Sequence, residues 1–198
     1  MKSNLIVRLD GIWEFDLASF LSLGLTTYTI LSEKAEDGKS FVNPPATQKS
    51  AAYSAFPDPI TNSIRGGFDV HIYFLQTNPE QVKYAHELWQ RIRHEFPELR
   101  IYTVWEKPIG PHPVGMFEVN LFTPEQFGAF VPWMNIWRGP LSVLVHPNTG
   151  DDVRDHSQRA IWMGERFPLA LGLLRKFEEL KAKQEAEKAE KEADSEKA

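Results

Sequence analysis

No cysteine occurs among the 198 residues. That excludes a disulfide framework, thiolate metal sites and a cysteine nucleophile. It suits a reducing cytosol, so a cytoplasmic location is expected. Any metal must then be held by His, Asp or Glu. Basic charge is also short, with 22 Lys and Arg against 27 Asp and Glu and a formal net charge of -5. So acidic a chain is poorly suited to neutralising nucleic-acid phosphates. Long apolar runs are missing too. The longest uncharged stretch near the start, Leu17 to Ser32, falls short of the about 20 residues that a membrane span needs. Asp10, Glu14 and Asp16 precede it, where a signal peptide would be basic. No targeting signal, no membrane and no nucleic acid are expected.

Hydrophobic residues make up 42% and aromatics 12%, enough for a real core. Three regions stand out. Residues 1–66 form an N-terminal extension, apolar from Leu17 to Leu31 and then linker-like, with Asn43-Pro44-Pro45 and Phe56-Pro57-Asp58-Pro59. Residues 67–171 carry regular patterning. Residues 172–198 are rich in Lys, Glu and Ala, with almost no apolar stripe after Leu180, and read as a charged, solvated helical tail.

Within the middle region, Phe68 to Leu75 reads as a strand. Asn78-Pro79-Glu80-Gln81 opens a helix, with an N-cap, proline at the first position and glutamine at the third. Val82, Ala85, Leu88, Trp89, Ile92 and Phe96 follow at helical spacing until Pro97. Arg100 to Trp105 is a second strand, and Val114 to Phe122 a third. Thr123-Pro124-Glu125-Gln126 repeats the helix-start pattern, and Pro132 should kink that helix. Leu141 to His146 is a fourth strand, and a last helix is expected from about Asp152 to Glu165. The β-α-β-β-α-β order is the α+β, ferredoxin-like pattern. It predicts a four-stranded antiparallel sheet in order 4-1-3-2, helices on one face, and an extra C-terminal helix. The other face must be covered, by the N-terminal region or a second copy, and a homodimer is expected.

Of six histidines, His86 and His94 read as exposed helix residues. His71, His112, His146 and His156 lie on separate elements that the topology brings together, which suggests a metal site. Antiparallel pairing of strands one and four puts His71 near His146, and Glu118 lies on strand three, on the other side of strand one. His71, His146 and Glu118 form a reachable 2-His-1-carboxylate set for Fe(II). His112 is a rival third ligand, about 20 Å from Glu118 along a straight strand.

Phe68-Asp69-Val70-His71-Ile72-Tyr73-Phe74, Gly110-Pro111-His112-Pro113, Met116-Phe117-Glu118-Val119, Leu144-Val145-His146-Pro147-Asn148-Thr149-Gly150-Asp151-Asp152 and Arg154-Asp155-His156 together resemble the DOPA 4,5-dioxygenase family. The resemblance runs from Phe68 to about Leu171. It implies extradiol cleavage by Fe(II) and O2 of a catechol such as L-DOPA, toward betalain-type pigment precursors. That chemistry needs a base for the catechol proton and an acid for O–O cleavage, for which His112 and His156 are the candidates. A substrate carboxylate needs a cation, from Arg138, Arg154 or Arg159. Asp151 and Asp155 either orient histidines or cap the last helix. The competing reading is a non-catalytic dimeric module that binds a small aromatic ligand.

Overall fold

A computed structural model describes residues 33–195, with side chains to residue 189. The apolar stretch Leu17–Leu31 lies outside the described residues. The chain divides into two units, residues 1–48 and 49–198. In the first, Lys34 bridges Phe41 across a turn closed by the Asp37 carboxylate, which accepts from the backbone N–H groups of Lys39 and Ser40.

The second unit is a mixed α/β structure. Its strands are β1 (Phe68–Phe74), β2 (Arg100–Ile101), β3 (Gly115–Leu121), β4 (Ser142–Pro147) and β5 (Ile161–Met163). Its helices are α1 (Pro79–Glu95), α2 (Pro124–Trp137), α3 (Asp152–Asp155) and α4 (Leu171–Ser195). The strands form one antiparallel sheet in order β2-β3-β1-β4-β5. Strands β3, β1 and β4 are therefore adjacent, as the sequence order predicts.

Both long helices start as their sequences dictate. The Asn78 side chain accepts from the N–H groups of Glu80 and Gln81, and Thr123 from that of Gln126. Each has proline in its first turn, where the missing N–H costs nothing. The two glutamines then reach back to the preceding strands, Gln81 Oε1 accepting from Leu75 N and Gln126 Oε1 from Phe122 N. Ala85, Leu88 and Ile92 of α1 and Phe130 and Met134 of α2 pack with Val70, Ile72, Phe74, Phe117, Val119, Leu121, Val143 and Val145. Alternate strand residues thus build the main core on one face.

Three expectations need correction. The sheet has five strands, not four. The second strand is short: only Arg100–Ile101 is regular, with Trp105 rejoining β3 through a bridge to Met116. The helix expected over Asp152–Glu165 stops at Asp155. Carbonyl groups of Asp152 and Arg154 accept from His156 N, Ser157 N and Arg159 N, which closes the turn. The β-branched and aromatic Ile161-Trp162-Met163 then pairs with β4 as β5.

The second face of the sheet carries its own small apolar cluster. Tyr73, Met116 and Leu144 pack with Trp105, Val114, Ala160, Trp162, Phe167 and Leu169. Part of the face left bare in the sequence reading is thus covered by this chain itself. Leu174 of α4 is buried, and Glu178 accepts from Val153 N at 3.3 Å, tying α4 to α3. Among the described residues, no helix is long and apolar enough to cross a membrane.

Candidate metal centre

The strand register builds the site. Asp69, His71 and Tyr73 alternate along β1 on the face opposite the main core. On β3 they face Asn120, Glu118 and Met116, and on β4 His146, Leu144 and Ser142. The loop before β3 brings His112 onto this face, and the end of α3 brings His156.

Four imidazoles meet there. His71 Nε2 lies 3.0 Å from His146 Nε2. Ring centroids are 4.3 Å apart for His71 and His112, 3.9 Å for His146 and His156, and 5.9 Å for His112 and His156. Two sets of three donor atoms lie mutually within 4.8 Å: His71, His112 and His156, and Asp69, His71 and His146. All five residues are buried.

Hydrogen-bond partners set the ring tautomers. His146 Nδ1 meets the Pro147 carbonyl at 2.9 Å, and His156 Nδ1 the Asp152 carbonyl at 2.8 Å. A carbonyl only accepts, so each Nδ1 carries the hydrogen and each Nε2 keeps a lone pair. That is how metal-ligating imidazoles are usually anchored. His71 Nδ1 is buried without a hydrogen-bond partner, with a Glu118 carboxylate oxygen 3.8 Å away.

Burial governs the electrostatics. It holds His71, His146 and His156 below the ordinary histidine range, and neighbouring imidazoles push His71 and His146 further down. His112 is depressed to about 3 by burial and then by His156. Burial raises Glu118, and burial with Glu118 nearby pushes Asp69 up to about 7. Four uncharged imidazoles at close quarters form a donor set suited to a divalent ion. Two nitrogens bound at right angles about 2.1 Å from one ion would stand about 3.0 Å apart, so the spacing of His71 and His146 fits.

The structure brings His71, His112, His146 and His156 together. Glu118 approaches His71 from its Nδ1 side, away from the nitrogen that faces His146, and Asn120 Nδ2 donates to it at 2.8 Å. Arg154 is exposed and paired with Asp151. Arg138 is tied into the turn after α2, donating to the Leu141 carbonyl at 2.8 Å. Arg159 donates to Asp155 and Thr149. His86 and His94 are exposed on α1. Asp151 caps α3. Asp155, only 1% exposed, also accepts from Thr149 N and Thr149 Oγ1, locking the loop between His146 and His156.

Several residues escaped the sequence reading. Asp69 shares the strand parity of His71, and an aspartate inside a strand is itself unusual, so a signal existed. Asn120 and Asn148 both donate to Asp69 Oδ1, at 2.6 and 3.0 Å, which only the tertiary fold reveals. Arg65 is exposed, yet its charge acts on Asp69, His71, Glu118, His146 and His156. It sits just before Gly66-Gly67, whose backbone bonds to Leu121 and Asn148 at the Asp69–His146 end of the sheet. Trp162 stacks on Tyr73, with centroids 5.6 Å apart, and its buried indole N–H has no partner.

A sheet face on which buried imidazoles and a carboxylate gather in two close donor sets, in a chain without cysteine, defines a candidate non-thiolate metal protein. Comparison with known proteins narrows the class. The sequence pattern of the Dopa 4,5-dioxygenase family matches residues 68–173, and the chain belongs to that family. It is 61% identical over 158 residues to an uncharacterized 21.2 kDa protein of Botryotinia fuckeliana, covering 76% of this chain and 86% of that protein. It is 40% identical over 109 residues to a DOPA 4,5-dioxygenase of Amanita muscaria, covering 52% of this chain and 47% of that enzyme. A crystal structure from Nostoc punctiforme, provisionally described as a dioxygenase, is 36% identical with a TM-score of 0.49, covering 59% of this chain and 97% of that one.

Proposed function

We propose that the chain is a non-haem, Fe(II)-dependent extradiol dioxygenase that opens the ring of a catechol such as L-DOPA. The carrying observation is the approach of His71 Nε2 to His146 Nε2 at 3.0 Å among four uncharged, buried imidazoles. His71, His146 and His156 would hold the ion: His71 belongs to both close donor sets, with His156 in one and His146 in the other, and His156 thus takes a ligand's place instead of the acid/base role expected from the resemblance. Bound Fe(II) would supply a Lewis acid for the catechol oxygens and an electronic link to O2.

The remaining roles belong to the chain's own groups. Glu118 steadies His71 from its Nδ1 side. This differs from the third-ligand role that strand order alone suggested for it. His112, buried beside His71, is the hydrogen-bonding group for the substrate. Arg65, which forms no ion pair among the described residues, is the cation for a substrate carboxylate. It is preferred to Arg138, which donates into the turn after α2, and to Arg154, which pairs with Asp151. The site is built from one chain, and the β1–β4 core with α1 and α2 is read as ferredoxin-like with β5 appended. The homodimer expected from the sequence has less to explain, since Ala160 to Leu169 already packs on that face. Light scattering tests it directly.

Metal analysis after anaerobic purification tests the proposal. It predicts about one iron per chain with oxygen uptake on adding a catechol. Absence of both sinks it. A second reading, a non-catalytic module for an aromatic ligand, draws on an open apolar hollow of about 560 Å³ lined by Tyr53, Phe56, Phe68, Phe127 and their neighbours, on the helix side of the sheet. Binding there would be indifferent to chelation of the metal.

A further inference from the structure

His112 differs from the other three imidazoles in what holds its outer nitrogen. For His146 and His156 that partner is a backbone carbonyl, which can only accept. For His112 it is the Tyr73 hydroxyl, 2.7 Å from Nδ1. A hydroxyl can donate or accept, so the direction must come from the surroundings. Tyr73 is fully buried, stacked on Trp162 and packed against Phe167, and His112 is its one hydrogen-bond partner among the described residues. If Nδ1–H donated to the tyrosine oxygen, the tyrosine hydrogen would be left buried and unbonded, which is costly. If the tyrosine donates to Nδ1, the hydroxyl hydrogen and Nδ1 each have a partner.

The loop makes this pairing firm. Ile109 and His112 exchange backbone hydrogen bonds in both directions, at 3.2 and 3.0 Å, across a turn with Gly110 at φ +54°. His112 is therefore carried on a tight turn that presents its ring to Tyr73.

We propose that Tyr73 is a positioning residue that fixes His112 as the Nε2–H tautomer, so that His112 offers a hydrogen-bond donor to an anionic oxygen of the substrate rather than a lone pair to the metal. This rests on the proposed function and deepens it, because the chemistry of the outer partners sets His112 apart from His146 and His156. Carbonyl acceptors leave lone pairs pointing inward on His146 and His156. A hydroxyl donor leaves an N–H on His112.

The tautomer is readable without catalysis. Two-bond 1H–15N spectra of the metal-free, 15N-histidine-labelled chain, with resonances assigned by His→Gln variants, report which ring nitrogen carries the proton. The expected result is Nε2–H for His112 and Nδ1–H for His146 and His156. A proton on Nδ1 of His112 overturns the proposal. In Tyr73→Phe, which keeps the ring, the His112 tautomers should mix while iron content stays at the wild-type level. kcat should fall about tenfold, below the 10²–10³ seen on deleting a donor outright, with little change in KM. Loss of iron in His112→Ala would make His112 a ligand and overturn the proposal. If wild-type protein binds no metal at all, the proposed function fails, yet the tautomer readout still decides the Tyr73 assignment.

Discussion

His71 and His146 stand on adjacent antiparallel strands but not opposite one another: His71 pairs with Leu144, and His146 pairs with Asp69. Their nitrogens meet across the diagonal at 3.0 Å. Diagonal neighbours have backbones roughly 7–8 Å apart, so each ring spans about half of the gap. Both rings thus sit on rigid strands rather than loops, which favours a site held within tight tolerances. Without an ion, His71 must place its proton on Nε2 to avoid setting two lone pairs face to face. A bound ion would take the His71 Nε2 lone pair, leaving Nδ1, which lies 3.8 Å from Glu118, to carry the proton.

Removing a ligand should loosen the metal, whereas removing an orienting group should leave it bound. Iron per chain, measured on variants loaded under identical conditions, should therefore collapse in His71→Ala, His146→Ala and His156→Ala. Glu118→Gln should retain iron with affinity about 10–100-fold weaker. Complete loss in Glu118→Gln with full retention in His156→Ala would restore the carboxylate triad.

Arg65→Ala should raise KM for catechols with a carboxylate side chain by about 10–100-fold, the scale of a charge-assisted hydrogen bond. KM for uncharged 4-methylcatechol should hardly change. Equal shifts for both substrates would remove Arg65 from substrate recognition.

Asp155 ties Thr149 and Arg159 together between two histidines. Asp155→Ala should cost roughly 1–3 kcal/mol by denaturant unfolding and weaken metal binding. Thr149→Val should reproduce part of both losses. Unchanged metal affinity in an Asp155→Ala protein that is measurably less stable would confine Asp155 to stability alone.

The metal-free protein should lose stability on mild acidification. Its four clustered histidines are held below the ordinary value of 6.5, His112 at about 3. As pH falls below about 6.5, the unfolded chain takes up protons there that the folded chain refuses, so folding weakens. Asp69, raised to about 7, and Glu118, also raised, act oppositely, because the folded chain keeps their protons. Four imidazoles outweigh two carboxyls. The net loss is about 1.4 kcal/mol per pH unit for each proton in excess. Melting of chelator-treated protein at about pH 7.5 and about pH 5.5 checks the sign. A higher melting temperature at the lower pH would contradict it.

Much of this site was legible because strands and caps obey local rules. Asn78-Pro79 and Thr123-Pro124 marked the helix starts, and strand parity put His71 and Glu118 on one face. What local rules could not show was how far each ring leans. Only the fold reveals that His71 turns its Nε2 toward β4, which leaves Glu118 beside Nδ1. The last helix stops short of the expected Glu165 because His156, Ser157 and Arg159 close a turn on the Asp152 and Arg154 carbonyls, while Ile161–Met163 finds an open edge of β4. The tyrosine under His112 was hidden by the 39 positions that separate them.

The central claim is that this histidine cluster carries a ring-opening dioxygenase. Oxygen uptake by the Fe(II)-loaded full chain with L-DOPA or a caffeate-type acid, under ascorbate, tests it most directly. The account predicts one O2 consumed per catechol lost, with uptake abolished in His146→Ala. Catechol binding to iron-loaded wild-type protein with no uptake above the protein-free control would contradict it.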